Sequence, residues 1–285
     1  MFHPHGLPAE LEKLDRTLVM GVINVTPDSF SDGGKFLNAR TAIEEGQLMM
    51  KHGADIIDIG GESTRPGSER VTVDEELTRV IPVIQELVSD GAVISIDTMR
   101  AEVARAAVDA GAALINDISG GKSDTEMLPY VASTNLPYIL MHWRGPSNVM
   151  QQLTDYNNVA QDVAQEIATQ VDVAVAAGIS RKRIVIDPGI GFAKTPEQNW
   201  PILQDLEALD ELELPVLWGV SRKRFLGELL ADTNGELREV TQREDATTAL
   251  STYLALAGAW CVRVHDVRAT RDAIEVVDRL GRIDG

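Results

Sequence analysis

The chain has 285 residues, of which 44% are hydrophobic and 25% are charged, a composition typical of folded globular proteins. Its formal net charge of −18 at pH 7 argues against general binding to nucleic acid and against attachment to an anionic membrane surface. The single cysteine, Cys261, excludes an internal disulfide framework and favours a reducing, cytoplasmic location. No apolar run approaches the roughly 20 residues that span a bilayer, so we expect no membrane-spanning segment.

Residues 1–16 are expected to form an N-terminal tail ahead of one folded domain over residues 17–285. The stretch lacks a basic region followed by an apolar one, so we expect no signal peptide. His3 and His5 suggest a metal site, but their position beside proline and glycine near the start of the chain favours a disordered tail instead.

Eight apolar runs follow one another along the chain, separated mostly by segments with a helical pattern. They cover residues 18–25, 56–59, 93–96, 114–115, 138–141, 184–186, 216–220 and 261–264. Continuous runs of valine, isoleucine and leucine are typical of parallel strands that are buried on both faces. Glycines that mark helix ends stand before several runs, at Gly53, Gly91, Gly111, Gly178 and Gly258. The repeated unit of helix, glycine and strand predicts an α/β fold.

About eight such units predict a single-domain (β/α)8 TIM barrel, which typically needs about 250 residues. An open, doubly wound sheet is the alternative, and eight units rather than five or six favour closure. In a barrel the carboxyl ends of all strands meet at one mouth. The polar residues that follow the runs, from Asn24 to His265, are therefore expected to share one pocket. Two long loops, residues 26–38 and 62–70, are expected to act as lids.

Six motifs lie at the expected strand ends. They are Asn24–Gly34, Gly61–Gly67, Ser95–Thr98 with Asn116–Asp117, Asp187–Phe192, Ser221–Lys223 and Arg263–Asp266. In this order they resemble the dihydropteroate synthases, the pterin-binding enzymes of folate biosynthesis, over roughly residues 18–280. The resemblance implies condensation of a dihydropterin carrying a CH₂-pyrophosphate with p-aminobenzoate, with release of pyrophosphate.

The resemblance implies a pterin site of several strand-end side chains: Asp97, Asn116, Asp187, Phe192, Lys223 and Arg263. A carboxylate accepts two parallel N–H donors side by side, so Asp187 suits the 2-amino-pyrimidinone edge of the pterin. Aspartates at a barrel mouth also cap loops and helices, and for Asp97, directly before Thr98, that alternative stays open.

Pyrophosphate is expected to meet a local cationic patch, which an acidic protein needs for an anionic substrate. The resemblance implies that its members are Asn24, Arg65, Arg263 and His265. It also implies Mg²⁺ as the cofactor, with Asn24 as a ligand. The implied catalytic residues, which favour a dissociative displacement, are Asp97, Lys223, Arg263 and His265. A salt bridge to Asp266 or another acid is the alternative for Arg263, and hydrogen-bonded scaffolding is the alternative for His265.

For p-aminobenzoate the resemblance implies Phe30, Thr64, Arg65, Pro66, Ser221 and Lys223. Ser221 precedes a predicted helix, whose N-terminus is favourable for a carboxylate. Phe30 could instead anchor its loop on the barrel rim, and Arg222 either assists the carboxylate or faces solvent.

Two other functions remain open. One is a methyltetrahydrofolate-binding methyl carrier on the same barrel, which would have no use for Arg65 together with Ser221–Lys223. The other is a catalytically silent relative that still binds pterins. The resemblance also implies a homodimer, and the apolar stretch Ala246–Leu256 is either its interface or a packing face of the barrel.

Overall fold

The computed structural model describes residues 3–26, 35–63, 70–146 and 148–281, with residues 35–38 described in their backbone only. Within this part of the chain, the strands are β1 Leu18–Asn24, β2 Ile56–Gly60, β3 Ile94–Asp97, β4 Leu114–Asp117, β5 Tyr138–Met141, β6 Ile184–Asp187, β7 Leu217–Trp218 and β8 Cys261–Val264. The helices are α1 Ala9–Glu12, α2 Lys35–Lys51, α3 Val73–Ser89, α4 Ala101–Asp109, α5 Met127–Ser133, α6 Val159–Ala176, α7 Asn199–Gln204, α8 Glu207–Asp210, α9 Arg224–Leu229, α10 Glu244–Leu256 and α11 Val267–Leu280.

All eight strands are parallel and lie in one sheet, in the order β6-β5-β4-β3-β2-β1-β8-β7. A parallel bridge between Ile186 and Val216 joins β6 to β7 and closes the ring. The predicted single-domain (β/α)8 barrel is therefore confirmed, and the open sheet is excluded. Within the described residues, none of the helices combines the length with the apolar composition that a membrane span requires.

Each strand presents alternate residues to the inside of the barrel, because side chains two positions apart share a face. The residues near the strand starts form one apolar cluster, the floor cluster, which includes Leu18, Ile56, Leu114, Val185, Leu217 and Cys261. Two positions further along four of these strands stand polar residues: Asp58, Asn116, Asp187 and Arg263. The inside of the barrel therefore has an apolar floor and a polar upper layer.

The glycines before the strands have the backbone conformation that the sequence predicts. Gly53, Gly91, Gly111, Gly178 and Gly258 have φ values of +91°, +90°, +110°, +102° and +91°. Such positive φ values are disfavoured for residues that carry a Cβ atom. The glycines thus end their helices and turn the chain into the next strand.

The N-terminal segment packs against the barrel, and the expectation of a disordered tail is wrong. Leu7 and Leu11 are buried in the floor cluster together with Trp260. The Trp260 indole N–H donates to His3 Nδ1 at 3.2 Å, so this histidine has a structural partner. The segment covers the amino-terminal end of the barrel. It is ordered because Leu7 and Leu11 are buried against apolar side chains that lie far away in sequence.

Replacing Leu11 with alanine should lower the free energy of unfolding by about 2–4 kcal/mol, because the change leaves a cavity in the floor cluster. Leu11 is 4% exposed, whereas Leu229, the matched control for the same substitution, is 60% exposed. Leu229→Ala should change stability by no more than about 0.5 kcal/mol. Urea unfolding of both variants measures the difference, and equal effects would contradict the packing of the segment.

Candidate active site

Arg263 on β8 lies in the upper layer of the barrel between two carboxylates. Its Nε donates to Asp58 Oδ2 at 2.6 Å, and its Nη2 donates to Asp97 Oδ2 at 2.8 Å. Asp266, the partner considered from the sequence, instead accepts from the Ala269 N–H at 3.2 Å and caps α11. The Arg263 side chain keeps 21% of its surface exposed, so the ion pairs leave part of the guanidinium accessible.

Asp58 is a site residue to which the sequence analysis gave no role. It is completely buried on β2 and also accepts a hydrogen bond from Asn116 Nδ2 at 3.1 Å. Its Oδ1 has no hydrogen-bond partner within the described part of the chain. The signal that could have identified Asp58 is its position two residues after Ile56, on the inner face of the same strand. Asp58 joins Arg263 and Asn116 into one network.

Asp97 belongs to this network and does not cap the following helix. The first N–H of α4, that of Ala101, is instead satisfied by Asp124 Oδ2 at 2.8 Å. Burial raises the pKa of Asp97 to about 7, with Asp58 adding to the rise and Arg263 opposing it. The carboxyl of Asp97 therefore changes its protonation state near neutral pH.

Asp187 ends β6 and is oriented by the loop that follows. Its Oδ1 accepts from the Gly189 N–H at 2.7 Å, which leaves Oδ2 for other donors. Burial raises the pKa of Asp187, while the Gly189 hydrogen bond and the positive charge of Lys223 lower it. A carboxylate held in this way can accept hydrogen bonds from a ligand.

Lys223 and Phe192 lie together beside Asp187. The Lys223 ammonium is 4.3 Å from the centre of the Phe192 ring, a cation–π contact. Burial lowers the pKa of Lys223 to about 8, and the charges of Asp187 and Asp97 oppose that shift. The charged side chains among the predicted pterin residues therefore lie together, and the Phe192 ring forms an aromatic wall beside them.

Ser221 and His265 are in direct contact. Ser221 Oγ lies 2.8 Å from His265 Nδ1, and the backbone N–H of His265 also donates to Ser221 Oγ at 3.2 Å. The helix expected after Ser221 begins at Arg224, with Lys223 at its N-cap position. The contact joins the end of β8 to the turn after β7.

Arg222 has a structural role in the same turn. Its backbone is left-handed, with a φ of +59°, and its N–H donates to Thr247 Oγ1 at 3.1 Å. Its guanidinium pairs with Glu244 at the start of α10. These contacts stabilise a backbone conformation that non-glycine residues rarely adopt. Arg222 thereby fixes the turn that carries Ser221 and Lys223.

Several predicted site residues lie outside the described residues: Phe30, Thr64, Arg65 and Pro66. The loop that contains the last three is anchored at its described ends, because Glu62 pairs with Arg70 at 3.0 Å and with Arg100 at 3.1 Å.

Asn24 is the residue to which the resemblance assigns a bound Mg²⁺. It ends β1 at the mouth of the barrel, in register with Gly60 on β2. Its amide oxygen is a hard ligand of the kind that Mg²⁺ takes together with phosphate oxygens and waters. Within the described residues, no group of three or more histidine, cysteine, aspartate or glutamate side chains could hold a metal ion.

Comparison with known proteins agrees with this geometry. Residues 20–265 match the family model of the pterin binding enzymes. Dihydropteroate synthase from Mycobacterium leprae (strain TN) is 49% identical over 260 residues, which cover 91% of this chain and 92% of the relative.

Two solved structures of dihydropteroate synthase from Xanthomonas albilineans share the fold. The structure with 4-aminobenzoic acid has a TM-score of 0.86 and 43% identity, and the match covers 95% of each chain. The structure in complex with 7,8-dihydropteroate has a TM-score of 0.83 and 40% identity, also over 95% of each chain. The chain therefore belongs to the pterin-binding enzyme family, and the resemblance to the dihydropteroate synthases that its motifs predict is confirmed.

Proposed function

We propose that this enzyme condenses 6-hydroxymethyl-7,8-dihydropterin pyrophosphate with p-aminobenzoate to give 7,8-dihydropteroate and pyrophosphate. The observation that carries the proposal is the polar upper layer of the barrel, in which Asp97, Asn116 and Asp187 surround a partly exposed Arg263. Hydrogen-bonding groups buried at this density need partners, and a pterin ring offers matching donors and acceptors.

Asp187 is the proposed anchor of the pterin. Its Oδ2 and its fixed Oδ1 suit the paired N–H donors of the 2-amino-pyrimidinone edge. Asn116 donates from its amide nitrogen to Asp58, and its amide oxygen remains an acceptor for the ring. Lys223 is proposed to donate to the ring carbonyl, while the guanidinium of Arg263 stacks on the ring face.

The leaving pyrophosphate is proposed to bind at the mouth. Asn24, Arg65, Arg263 and His265 are the residues assigned to it. Mg²⁺ held by the Asn24 amide oxygen would neutralise negative charge on the pyrophosphate. Positive groups aimed at a departing anion lower the barrier electrostatically, because the charge that they stabilise grows in the transition state.

The chemical step is proposed to be dissociative. The bond between the CH₂ carbon and the pyrophosphate oxygen breaks first, and its electron pair leaves with pyrophosphate. The carboxylates of Asp97 and Asp187 favour the positive charge that develops on the pterin and its CH₂ group. The amine nitrogen of p-aminobenzoate then forms the new C–N bond and releases a proton to water.

The p-aminobenzoate site is proposed to lie beside the Ser221–Lys223 turn. Ser221 and Lys223 would hold the carboxylate, and the two long loops would cover the ring through Phe30, Thr64, Arg65 and Pro66. These loops would also exclude water from the cationic intermediate.

Assembly as a homodimer in the cytoplasm stays a prediction. Helix α10 buries Thr247, Ser251, Leu254 and Ala255, so much of its apolar face is used by the barrel. Tyr253 on the same helix is 45% exposed and remains available for a partner subunit.

Pyrophosphate release from the dihydropterin substrate tests the proposed function. With Mg²⁺ present, release should depend on p-aminobenzoate and yield 7,8-dihydropteroate in equal amount, and chelation of the metal should stop it. Controls omit p-aminobenzoate or the enzyme. Pterin binding without release under all conditions would contradict the synthase reaction and favour the silent relative, while methyl transfer from methyltetrahydrofolate would favour the methyl carrier.

Pterin affinity should weaken as pH falls below about 7, because the bound ring needs the carboxylate of Asp97 while burial raises the pKa of that group in the free protein to about 7. Well below the pKa, the carboxylate fraction falls about tenfold for each pH unit. Calorimetric titration with a pterin at several pH values measures this loss of affinity. Asp97→Asn, which has no titrating group at this position, should bind the pterin more weakly, and its affinity should not fall further below pH 7. A loss of affinity below pH 7 that persists in this variant would contradict the assignment.

A further inference from the structure

Lys194 is a buried lysine in the loop after β6, and its ammonium is held by the loop backbone. The side chain is 2% exposed. Its Nζ donates to the carbonyl oxygens of Gly189 at 3.0 Å and Phe192 at 3.1 Å, and it lies 3.1 Å from His142 Nδ1. An ammonium has three N–H donors, so all of them are used. Its three hydrogen-bonding contacts are thus with uncharged groups, two backbone carbonyls and an imidazole nitrogen.

His142 connects Lys194 to the helix layer behind the strands. Because Nδ1 accepts from the lysine, the ring proton is on Nε2, which lies 2.9 Å from Glu166 Oε2 on α6. Burial and the charge of Lys194 lower the pKa of His142 to about 4, so the ring is neutral at pH 7. Glu166 is in turn paired with Arg144 at 2.5 Å. The ammonium of Lys194 is therefore bound to His142 on one side and to the loop carbonyls on the other.

The loop needs such an anchor because its backbone is unusual. Gly189, Gly191 and Ala193 have φ values of +64°, +81° and +49°, so three of five successive residues are left-handed. For Ala193 this conformation is disfavoured by its Cβ atom, and it persists only when surrounding contacts impose it. Lys194 supplies two of those contacts, and the Asn199 side chain supplies another by accepting from the Gly191 N–H at 2.7 Å.

The two carbonyl groups that Lys194 binds belong to Gly189 and Phe192, which border the proposed pterin site. Gly189 orients Asp187 through its N–H, and Phe192 forms the wall beside Lys223. We propose that Lys194 is a positioning residue for the pterin, whose ammonium holds Gly189 and Phe192 so that Asp187 and the aromatic wall are preorganised. This inference rests on the proposed function, because it concerns the same pterin.

Deprotonation of Lys194 should loosen the loop. Burial lowers the pKa of this amine to about 7, with Asp187 and Glu166 opposing the shift and Arg144 and Lys223 adding to it. A neutral amine has two N–H donors and a lone pair, so it cannot donate to three acceptors at once. The positioning effect is therefore present below about pH 7 and is lost as the pH rises through that value.

The test compares Lys194→Met with Lys122→Met. The first variant removes the ammonium and keeps an unbranched apolar side chain of similar length. Lys122 is the matched control, because its Nζ donates to the Trp143 carbonyl at 3.0 Å in a neighbouring loop and makes no hydrogen bond to the loop of Lys194. The probe is 6-hydroxymethyl-7,8-dihydropterin, which has no leaving group. Calorimetry gives its Kd, and circular dichroism confirms folding.

The decisive quantity is the ratio of the variant Kd to the wild-type Kd at two pH values. For Lys194→Met the ratio should be at least about tenfold at about pH 6 and shrink to about threefold or less at about pH 8.5. Asp97 titrates in both proteins, so its contribution cancels in the ratio. Lys122→Met should give a ratio near one at both pH values.

A Lys194→Met ratio near one at low pH, or a large ratio that does not change with pH, would overturn the proposal, because packing alone has no such pH dependence. If that variant does not fold, the same ratio of Kd values is measured for Lys194→Gln, whose amide keeps two N–H donors. A wild-type protein that binds no pterin would instead overturn the proposed function and is distinguishable from either result.

Discussion

The partly exposed guanidinium of Arg263 holds the candidate site together through two ion pairs. A positive charge inside a barrel is costly unless carboxylates pair with it, because it has left water. Asp58 and Asp97 supply that pairing from two neighbouring strands, and Asn116 extends the network by its hydrogen bond to Asp58. The raised pKa of Asp97 follows from the same arrangement, since burial and the nearby Asp58 outweigh Arg263. One ion-pair network therefore sets both the geometry and the protonation of the pocket.

The same strands build the core and the pocket, and the two-residue period of a strand separates them. Inward residues near the strand starts are apolar and are covered from below by the N-terminal segment, whereas inward residues near the strand ends are polar. The loops that complete the pocket contain left-handed non-glycine residues, Ala193 after β6 and Arg222 after β7. Each is surrounded by hydrogen bonds from elsewhere in the fold. Strain near a binding site that is maintained by its surroundings is a common form of preorganisation.

Much of the fold could be predicted from the sequence because its signals are local. Continuous apolar runs mark the strands, and glycines mark the helix ends. Strand β7 is shorter than its run, because Val216 forms only a bridge to Ile186 and the chain turns after Trp218. The motifs also identified Asp97, Asn116, Asp187, Lys223 and Arg263, which the structure brings together.

Residues whose roles depend on distant partners could not be predicted. The two-residue period of β2 indicates that Asp58 points inward, but its pairing with Arg263 appears only when β2 and β8 are placed on either side of β1. Lys194 lies two residues beyond the Asp187–Phe192 motif, and its partner His142 is 52 residues away. Order in the N-terminal segment likewise depends on contact with Trp260, at the other end of the chain. Phe30 of the first loop and Thr64, Arg65 and Pro66 of the second lie outside the described residues.

If the Asp58–Arg263 pair organises the proposed pterin site, the substitution Asp58→Asn should weaken pterin binding. Asp55→Asn is the matched control, because Asp55 forms a similar pair with Arg16 at 2.7 Å just before the start of β2, below the pocket. Asp58→Asn should weaken pterin binding by about 10- to 100-fold, corresponding to about 1.4–3 kcal/mol, while Asp55→Asn should lower stability and leave the affinity unchanged. Equal pterin affinity in the wild type and Asp58→Asn would show that the pair does not organise the site.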